Sequence, residues 1–294
     1  MANKEILQYL CCPKCKSNLI EQDDFLVCEK CSEKYETQGG IPILVNFKNL
    51  PIHLQRQIKY FVKEDNSRPE YRLDEWQKSY IRRFEENFPF QGGELLIDVG
   101  TGSGYMAVEM AKKGLRVIAC DLTLKELIKL KDIIKKERLE NNLFLVCCSA
   151  EGLPFKDKIA DYLVSNAVLE HLPQEEKAIS EINRVCRNKS GLMITVPLKL
   201  KYVLPIFWLP TYIHDRKIGH LRKYNEKILS RRFGQFGYKV KRTYYPGHFE
   251  KALVVSLSML GIHKENWDEW AETKDRQKEN KKYFSCNICT IFIK

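Results

Sequence analysis

Short runs of consecutive apolar residues alternate with longer amphipathic stretches from residue 94 onward. The apolar runs predict strands at 94–99, 116–120, 143–148, 161–165 and 191–196. The amphipathic stretches predict helices at 103–113, 123–139, 174–187 and 225–236. This alternation indicates an α/β fold that is doubly wound, with a mostly parallel sheet covered by helices on both faces.

The first fifty residues follow a different pattern, which is set by two cysteine pairs. Cys12-Pro-Lys-Cys15 and Cys28-Glu-Lys-Cys31 each place two thiols three residues apart. Two such turns can complete the tetrahedron that Zn²⁺ prefers, so we predict a structural zinc site, with a metal-free ribbon or a redox pair as alternatives. The following KYETQGGIPILV predicts a strand, a Gly-Gly turn and a second strand.

Residues 7–47 resemble the short zinc ribbons related to the activator subunit of several tRNA and protein methyltransferases. The resemblance rests on the two cysteine pairs and on the Gly-Ile-Pro that follows the second pair. It implies a ribbon and does not identify what the ribbon contacts.

A glycine-rich turn follows the first predicted strand of the larger domain. Asp98 is followed by Gly100, Gly102 and Gly104, and glycines there allow a sharp turn and a close approach of a ligand to the backbone. Asp121 ends the next predicted strand, where a carboxylate can accept hydrogen bonds from the ribose hydroxyls of a nucleoside. The spacing G-x-G-x-G differs from the dinucleotide spacing. Taken alone the turn fits a nucleotide-like pocket or a tight structural turn, and Asp121 at the next strand end favours the pocket.

Five motifs in order resemble the class I S-adenosylmethionine-dependent methyltransferases, within them the subgroup of the ubiquinone and menaquinone biosynthesis enzymes. They are IDVGTGSG, ACDLT, SAEGLPF, SNAVLEHL and ITVPLK, and the similarity covers about residues 92–245. The resemblance implies a seven-stranded, Rossmann-like methyltransferase sheet and an enzyme that uses S-adenosyl-L-methionine.

The resemblance also implies roles for particular residues. Those along or near the cofactor are Asp98, Gly100, Gly102, Gly104, Asp121, Leu122, Ser149, Ala150, Glu151 and Asn166. The family's third motif usually supplies an Asp to the adenine amino group, and Ser149 occupies that place here.

Two histidines are candidates for catalysis. His171 and His220 could act as a general base if the acceptor must lose a proton, because an imidazole titrates near neutral pH. Each also has a structural alternative, since His171 could pack at a helix start and His220 could be a hydrogen-bond donor within the fold.

Charge is concentrated in one segment. The net charge is +11, and between Lys199 and Arg242 twelve Lys and Arg residues stand against two acidic residues. This segment begins with an apolar, aromatic stretch, which favours a substrate lid that binds a lipophilic, anionic acceptor. A packed hairpin with a solvated edge, contact with an anionic membrane surface and, less favoured, RNA binding are the alternatives.

The sequence predicts three regions: a zinc ribbon at 1–47, a helical linker or cap at 48–91, and a methyltransferase domain at 92–294 with lid insertions at about 199–224 and 246–283. The charged run within 267–284 predicts a solvated helix.

Eleven cysteines, several in apolar runs, do not indicate a secreted disulfide framework. No apolar run reaches the roughly 20 residues of a membrane span, and the first residues lack a signal-peptide pattern, so we expect a cytoplasmic protein, with peripheral membrane contact as an option.

We therefore expect an S-adenosylmethionine-dependent methyltransferase acting on a small or lipophilic, anionic acceptor. A tRNA or rRNA base methyltransferase is the second hypothesis. The third is a non-catalytic protein that keeps the fold while its zinc ribbon recruits a partner.

Overall fold

The computed structural model describes residues 4–23, 25–63, 71–259, 261, 262, 264 and 266–294. Its strands are β1 (Leu19–Gln22), β2 (Phe25–Cys28), β3 (Lys34–Gln38), β4 (Ile41–Pro42), β5 (Leu95–Val99), β6 (Arg116–Asp121), β7 (Leu143–Cys147), β8 (Ala160–Asn166), β9 (Cys186–Pro197), β10 (Lys239–Tyr244) and β11 (Asn287–Ile293). Its helices are α1 (Lys4–Leu7), α2 (Ile52–Lys63), α3 (Glu75–Asn87), α4 (Tyr105–Lys112), α5 (Leu124–Lys136), α6 (Glu175–Val185), α7 (Trp208–Ile218), α8 (Glu226–Gly234), α9 (Phe249–Met259) and α10 (Trp267–Arg276).

Seven strands form the larger sheet, in the order β10-β11-β9-β8-β5-β6-β7. β5 pairs in parallel with both β6 and β8, β6 pairs in parallel with β7, and β10 pairs antiparallel with β11. Every residue of β5 and β7 is buried, which explains their continuous apolar sequences. The predicted fold class, a doubly wound and mostly parallel Rossmann-like sheet of seven strands with a small amino-terminal ribbon, is confirmed.

The direction of winding reverses at β5. The chain passes from β5 to β6 and β7 on one side and then returns to place β8 on the other side of β5. In open α/β sheets ligands bind beyond the carboxyl ends of the strands at such a reversal. The glycine-rich turn after β5 and the acidic residue that ends β6 are therefore located where this fold places its ligands.

The amino-terminal ribbon is an antiparallel sheet of four strands in the order β1-β2-β3-β4. It continues the larger sheet by backbone contacts, because the Leu44 N–H donates to the Cys147 carbonyl (2.8 Å) at the end of β7. A second connection is the antiparallel bridge between Leu10 and Phe155. Lys16 adds an ion pair with Glu181 of α6 (2.6 Å).

Cα packing divides the chain into two compact units. The first comprises Met1–Pro69, Phe90–Ser165 and Leu172–Gly191, and the second comprises Glu70–Pro89, Asn166–His171 and Leu192–Lys294. The first unit contains the ribbon and the glycine-rich turn. The second contains both segments predicted as insertions.

Both insertions are helical. The segment 199–224 contains two 3-10 turns and α7, so the packed-hairpin alternative is wrong. The segment 246–283 contains α9 and α10. α10 is the charged helix predicted from alternating signs, but it is not wholly solvated: Ala271, Glu272 and Asp275 are buried, and the Asp275 carboxylate accepts the Gly247 and His248 N–H groups.

Element boundaries differ from the sequence predictions at a few places. β9 begins at Cys186, five residues before the predicted strand at 191, within a polar stretch that sequence alone gave no reason to call a strand. α4 begins at Tyr105 and not at 103, because Gly104 has φ +77° and still belongs to the turn. No helix among the described residues is long and apolar enough to cross a bilayer.

Candidate active site

The turn after β5 requires its glycines. Gly100, Gly102 and Gly104 all have positive φ, at 71°, 51° and 77°, in the left-handed region that other residues adopt only at a cost. A Cβ at Gly104 would come within 2.4 Å of the Leu130 side chain on α5. The Gly100 N–H donates to the Cys120 carbonyl (2.8 Å), so the turn is held against the end of β6.

Asp121 connects this turn to the end of β6. Its Oδ2 accepts the Gly102 N–H (3.0 Å) and its Oδ1 accepts the Thr123 N–H (2.8 Å). Burial raises the pKa of the Asp121 carboxyl above its usual value, although these two hydrogen bonds act in the opposite direction. The Thr123 side chain also hydrogen-bonds to this carboxyl, and a carboxylate, with about four lone pairs, can still accept a further hydrogen bond from a ligand.

Asp98, the residue before the turn, is almost fully buried at 3% exposure. Burial raises the pKa of its carboxyl to about 7, and the hydroxyl of Thr101, which donates to Oδ2 (2.6 Å), opposes that rise only in part. Asp98 therefore holds the start of the turn while carrying a proton more readily than an exposed Asp does.

The third-motif residues lie at the end of β7 in the same unit. Ser149 caps the 3-10 turn Ala150–Gly152, where its hydroxyl oxygen accepts the Glu151 N–H (3.2 Å). Glu151 is buried, and its Oε1 accepts the Gln174 N–H (2.6 Å). Leu122 is half-buried beside Asp121. The first unit thus contains every residue expected along the cofactor except Asn166.

Asn166 lies in the second unit, where Thr195 of β9 holds it in place. The Thr195 hydroxyl donates to Asn166 Oδ1 (2.8 Å), and the Ala167 N–H donates to the Thr195 carbonyl (2.9 Å). Ala167 has φ +54°, which is unusual for a residue with a Cβ. Such strain is concentrated at functional sites in proteins.

His171 and His220 come together in the second unit, with their ring centroids 4.7 Å apart. Glu170 lies beside them with 0% exposure, and its Oε1 is 3.7 Å from His220 Nε2. Burial raises the pKa of Glu170 to about 8. His220 Nδ1 is 2.7 Å from Asp215 Oδ1.

A cavity of about 200 Å³ opens beside His220 within the second unit. Apolar side chains form much of its wall, among them Phe207, Pro210 and Val255, while Lys223 and Lys251 supply positive charge. The lining comes from the two insertions and from residues flanking the last strands. This arrangement can bind a molecule that has both apolar and anionic parts.

The four ribbon cysteines also come together as predicted from their spacing. Their sulfur atoms all lie within 4.8 Å of one another, with Cys12 to Cys31 at 3.7 Å and Cys15 to Cys28 at 3.3 Å. Cys11, the neighbouring thiol, instead donates to the Phe155 carbonyl (3.1 Å).

Sequence reasoning did not assign roles to Glu170, Asp215, Lys223 and Lys251. Glu170 was visible inside the motif SNAVLEHL beside His171. Asp215 and the two lysines lie in insertions with no motif, so only their folded positions reveal them.

The central segment of the chain matches a known family. Residues 97–194, about a third of the chain, match the family model described as Methyltransferase domain. The segment that contains the glycine-rich turn, Asp121 and the His171 motif is therefore the part of the chain that is similar to this family.

Curated relatives agree with this match. An uncharacterized methyltransferase of Mycobacterium leprae is 29% identical over 153 residues, which cover 52% of this chain and 52% of that protein. The ubiquinone/menaquinone biosynthesis C-methyltransferase UbiE of Rickettsia massiliae is 34% identical over 119 residues, which cover 38% of this chain and 46% of the relative. The chain spans about half the length of the curated relatives it matches.

Solved structures share the fold at low identity. The geranyl diphosphate C-methyltransferase of Streptomyces coelicolor A3(2), crystallised with Mg²⁺, geranyl-S-thiolodiphosphate and S-adenosyl-L-homocysteine, superposes with a TM-score of 0.60 at 10% identity, covering 83% of this chain and 98% of that one. The [4+2]-cyclase SpnF superposes with a TM-score of 0.56 at 17% identity, covering 82% and 93%. Because a cyclase shares the fold, the fold alone does not specify the reaction.

The buried Asp98 predicts a pH-dependent stability for the ligand-free chain. Its pKa rises from 3.8 to about 7 on folding, so its contribution is full below pH 3.8 and is lost as the pH rises to about 7. Asp98→Asn carries no titrating group at this position, so its stability should not fall between pH 3.8 and about 7 for this reason. The free energy of unfolding of the variant, relative to that of the wild type, should therefore increase by about 1–4 kcal/mol across this pH range. Denaturant unfolding at a series of pH values measures it.

Asp132→Asn, a change on the exposed side of α5, is the matched control and should give a profile parallel to that of the wild type. Parallel profiles for the wild type and Asp98→Asn would contradict the assignment of a raised pKa to Asp98.

Proposed function

We propose that this protein is an S-adenosyl-L-methionine-dependent methyltransferase. The single observation that carries the proposal is the Asp121 carboxylate, which joins the glycine-rich turn to the end of β6 at the reversal of the sheet. The matched methyltransferase domain supports it. A nucleoside ribose could add its hydroxyl donors to the same carboxylate, while the backbone of the turn approaches the rest of the cofactor.

When bound, S-adenosyl-L-methionine would supply a methyl group on a sulfonium, which an acceptor would attack in line while S-adenosyl-L-homocysteine leaves. The task of this chain is then to hold the two reactants in alignment and to exclude water, which can supply about 7–11 kcal/mol of the barrier reduction. Asp121 and the glycine-rich turn would hold the donor. Thr195 holds both the Asn166 side chain and the Ala167 backbone, which supports the expectation that Asn166 also serves the reaction.

We assign the acceptor to the cavity beside His220. Its apolar wall favours a lipophilic molecule, and Lys223 and Lys251 favour one that carries a phosphate or carboxylate group. Lys223 is paired with Asp215 and Lys251 with Glu272, so an anion would compete with these carboxylates for the lysines. The fold neighbour named for geranyl diphosphate acts on an acceptor of that chemical kind, which agrees with this assignment.

The donor assignment predicts the effect of one substitution. Asp121→Ala should lower the affinity for S-adenosyl-L-methionine at least tenfold, because charge-assisted hydrogen bonds contribute about 1.5–3 kcal/mol each. Isothermal titration measures the affinity, and circular dichroism of the same samples verifies that the variant is folded.

Asp132→Ala, with its carboxyl outside the turn, should bind the cofactor as the wild type does. Equal affinity in a folded Asp121→Ala chain would remove the donor assignment. A wild type that binds the cofactor but transfers no methyl group to lipophilic acids, phosphates or RNA would instead favour the non-catalytic hypothesis.

We further propose that the ribbon cysteines bind a structural Zn²⁺. Four sulfur atoms at about 2.3 Å from a tetrahedral ion lie about 3.8 Å from one another, close to the 3.7 Å between Cys12 and Cys31. Four thiolate ligands would fill the coordination shell, so the ion would stabilise the ribbon without entering the reaction.

Metal analysis of purified variants tests the zinc site. The wild type should contain one Zn²⁺ in this ribbon, Cys28→Ser should lose it and unfold at a lower temperature, and Cys11→Ser should retain it, because Cys11 hydrogen-bonds to Phe155 outside the cluster. A ribbon zinc retained by Cys28→Ser, or lost from Cys11→Ser, would contradict the ligand assignment.

We also propose that α7 contacts an anionic membrane surface, from which a lipophilic acceptor could be taken. Ile206, Leu209 and Ile213 expose 71%, 66% and 58% of their surface on and beside this helix. Arg216 and Lys217 follow in its last turn. Exposed apolar groups beside cations are typical of interfacial helices.

Co-sedimentation with vesicles tests this contact. The wild type should sediment with vesicles that contain phosphatidylserine and much less with phosphatidylcholine alone, and Leu209→Glu/Ile213→Glu should lose most of the binding. Ile52→Glu/Ile128→Glu, which changes two exposed apolar residues elsewhere, should retain it. Equal loss in both variants would contradict the role of α7, and binding to tRNA without binding to vesicles would favour the RNA hypothesis.

A further inference from the structure

We propose that Glu170, His171 and His220 bind a divalent transition-metal cation. One ligand atom from each residue can be chosen so that the three atoms lie within 4.8 Å of one another. The measured separation of Glu170 Oε1 and His220 Nε2 is 3.7 Å, a distance that an ion about 2.1 Å from each can bridge. All three residues belong to the second compact unit.

The burial of the Glu170 carboxylate without a hydrogen-bond partner is the observation that indicates a ligand. Its side chain is fully buried, and within the described part of the chain neither carboxylate oxygen has a hydrogen-bond partner. Leaving such a group without partners is costly, and buried carboxylates in proteins are normally paired or bound to metals. His220 Nε2 lies 3.7 Å from Glu170 Oε1, which is too distant for a hydrogen bond.

His220 has the surroundings of a metal ligand. Its Nδ1 is 2.7 Å from Asp215 Oδ1, which fixes the ring and leaves Nε2 directed toward Glu170. Histidine ligands usually donate their second N–H to a carboxylate in this way. Lys223 Nζ lies 2.7 Å from the other carboxylate oxygen, Asp215 Oδ2, so Asp215 is itself held in place beside His220.

The backbone brings the three residues together before any ion binds. His171 follows Glu170 in the 3-10 turn Leu169–His171. His220 is fifty residues further on, and the Leu221 N–H next to it donates to the Glu170 carbonyl (2.8 Å). Arg222 donates to the Leu169 carbonyl (3.1 Å), which ties the same loop to the same turn a second time.

The ligand set selects the class of cation. Two imidazoles and one carboxylate suit Mn²⁺, Fe²⁺, Co²⁺ or Zn²⁺ better than the all-oxygen preference of Mg²⁺ and Ca²⁺. Three protein ligands leave coordination positions open. These positions could accept oxygen atoms of the acceptor, and a bound cation lowers the pKa of a hydroxyl that it binds.

This inference adds a metal ion to the proposed acceptor site. It rests on the proposed function only for the role of the ion in binding the acceptor. Binding of the ion itself can be measured without S-adenosyl-L-methionine. A failure of metal binding would leave the methyltransferase proposal standing, and a failure of methyl transfer would leave the metal site standing.

Electron paramagnetic resonance with Mn²⁺ is the test, on a chain supplied with a single equivalent of Zn²⁺, because the four ribbon thiolates take up that ion in preference and bind the hard Mn²⁺ ion poorly. The wild type should bind one Mn²⁺. Glu170→Gln and His171→Ala should each weaken the binding at least tenfold, and Asp215→Asn, which acts through His220, should weaken it about 10- to 100-fold. Glu109→Gln, on α4, should bind as the wild type does.

Folding of the variants is verified separately. Glu170→Gln replaces a buried carboxyl by a neutral group of nearly the same shape, so it should fold. Mn²⁺ should raise the unfolding temperature of the wild type but not that of Glu170→Gln. The proposal is overturned if the wild type binds neither Mn²⁺ nor Zn²⁺ beyond the ribbon ion. It is equally overturned if folded Glu170→Gln and His171→Ala bind Mn²⁺ as tightly as the wild type.

Discussion

The Asp121 carboxylate is the contact on which the conformation of the turn after β5 depends. It accepts the Gly102 N–H with one oxygen and the Thr123 N–H with the other, at the point where two neighbouring parallel strands end. The turn that it fixes has three glycines with positive φ, and one of them lies against Leu130 with no space for a Cβ. Sequence, backbone conformation and packing therefore agree on a single shape for this loop.

The predictions succeeded where chemistry is local in sequence. β5 and β7 are short, fully buried strands, the glycines follow β5 and Asp121 ends β6, so these strands and the turn could be predicted from short segments. The ribbon cysteines are a second example, because their spacing alone determines that four sulfur atoms can meet.

The features that could not be predicted from the sequence depend on contacts between segments that are far apart in the chain. Glu170 and His220 are fifty residues apart, and a hydrogen bond from Leu221 to Glu170 brings their segments together. Similarly, α10 has the alternating charges of a solvated helix, yet its Asp275 is fully buried because the Gly247 and His248 N–H groups need an acceptor. The sequence around one residue of such a pair contains no signal that predicts its contact with the other residue.

The ribbon and the helical segments 199–224 and 246–283 differ in the contacts that they make. The ribbon continues the sheet at β7 through backbone hydrogen bonds and the Lys16–Glu181 ion pair, which are structural contacts. The helices of segments 199–224 and 246–283 line a cavity with apolar and cationic groups, and α7 exposes apolar side chains. These are the features on which the proposed acceptor site rests.

The central claim is that the turn after β5 and Asp121 bind the methyl donor. A crystal structure of the protein with S-adenosyl-L-homocysteine tests this claim most directly. The account predicts ribose hydroxyls within hydrogen-bond distance of the Asp121 carboxylate and the amino-acid portion of the ligand along Gly100, Gly102 and Gly104. A ligand bound elsewhere, or a turn that remains empty at saturating concentration, would contradict it.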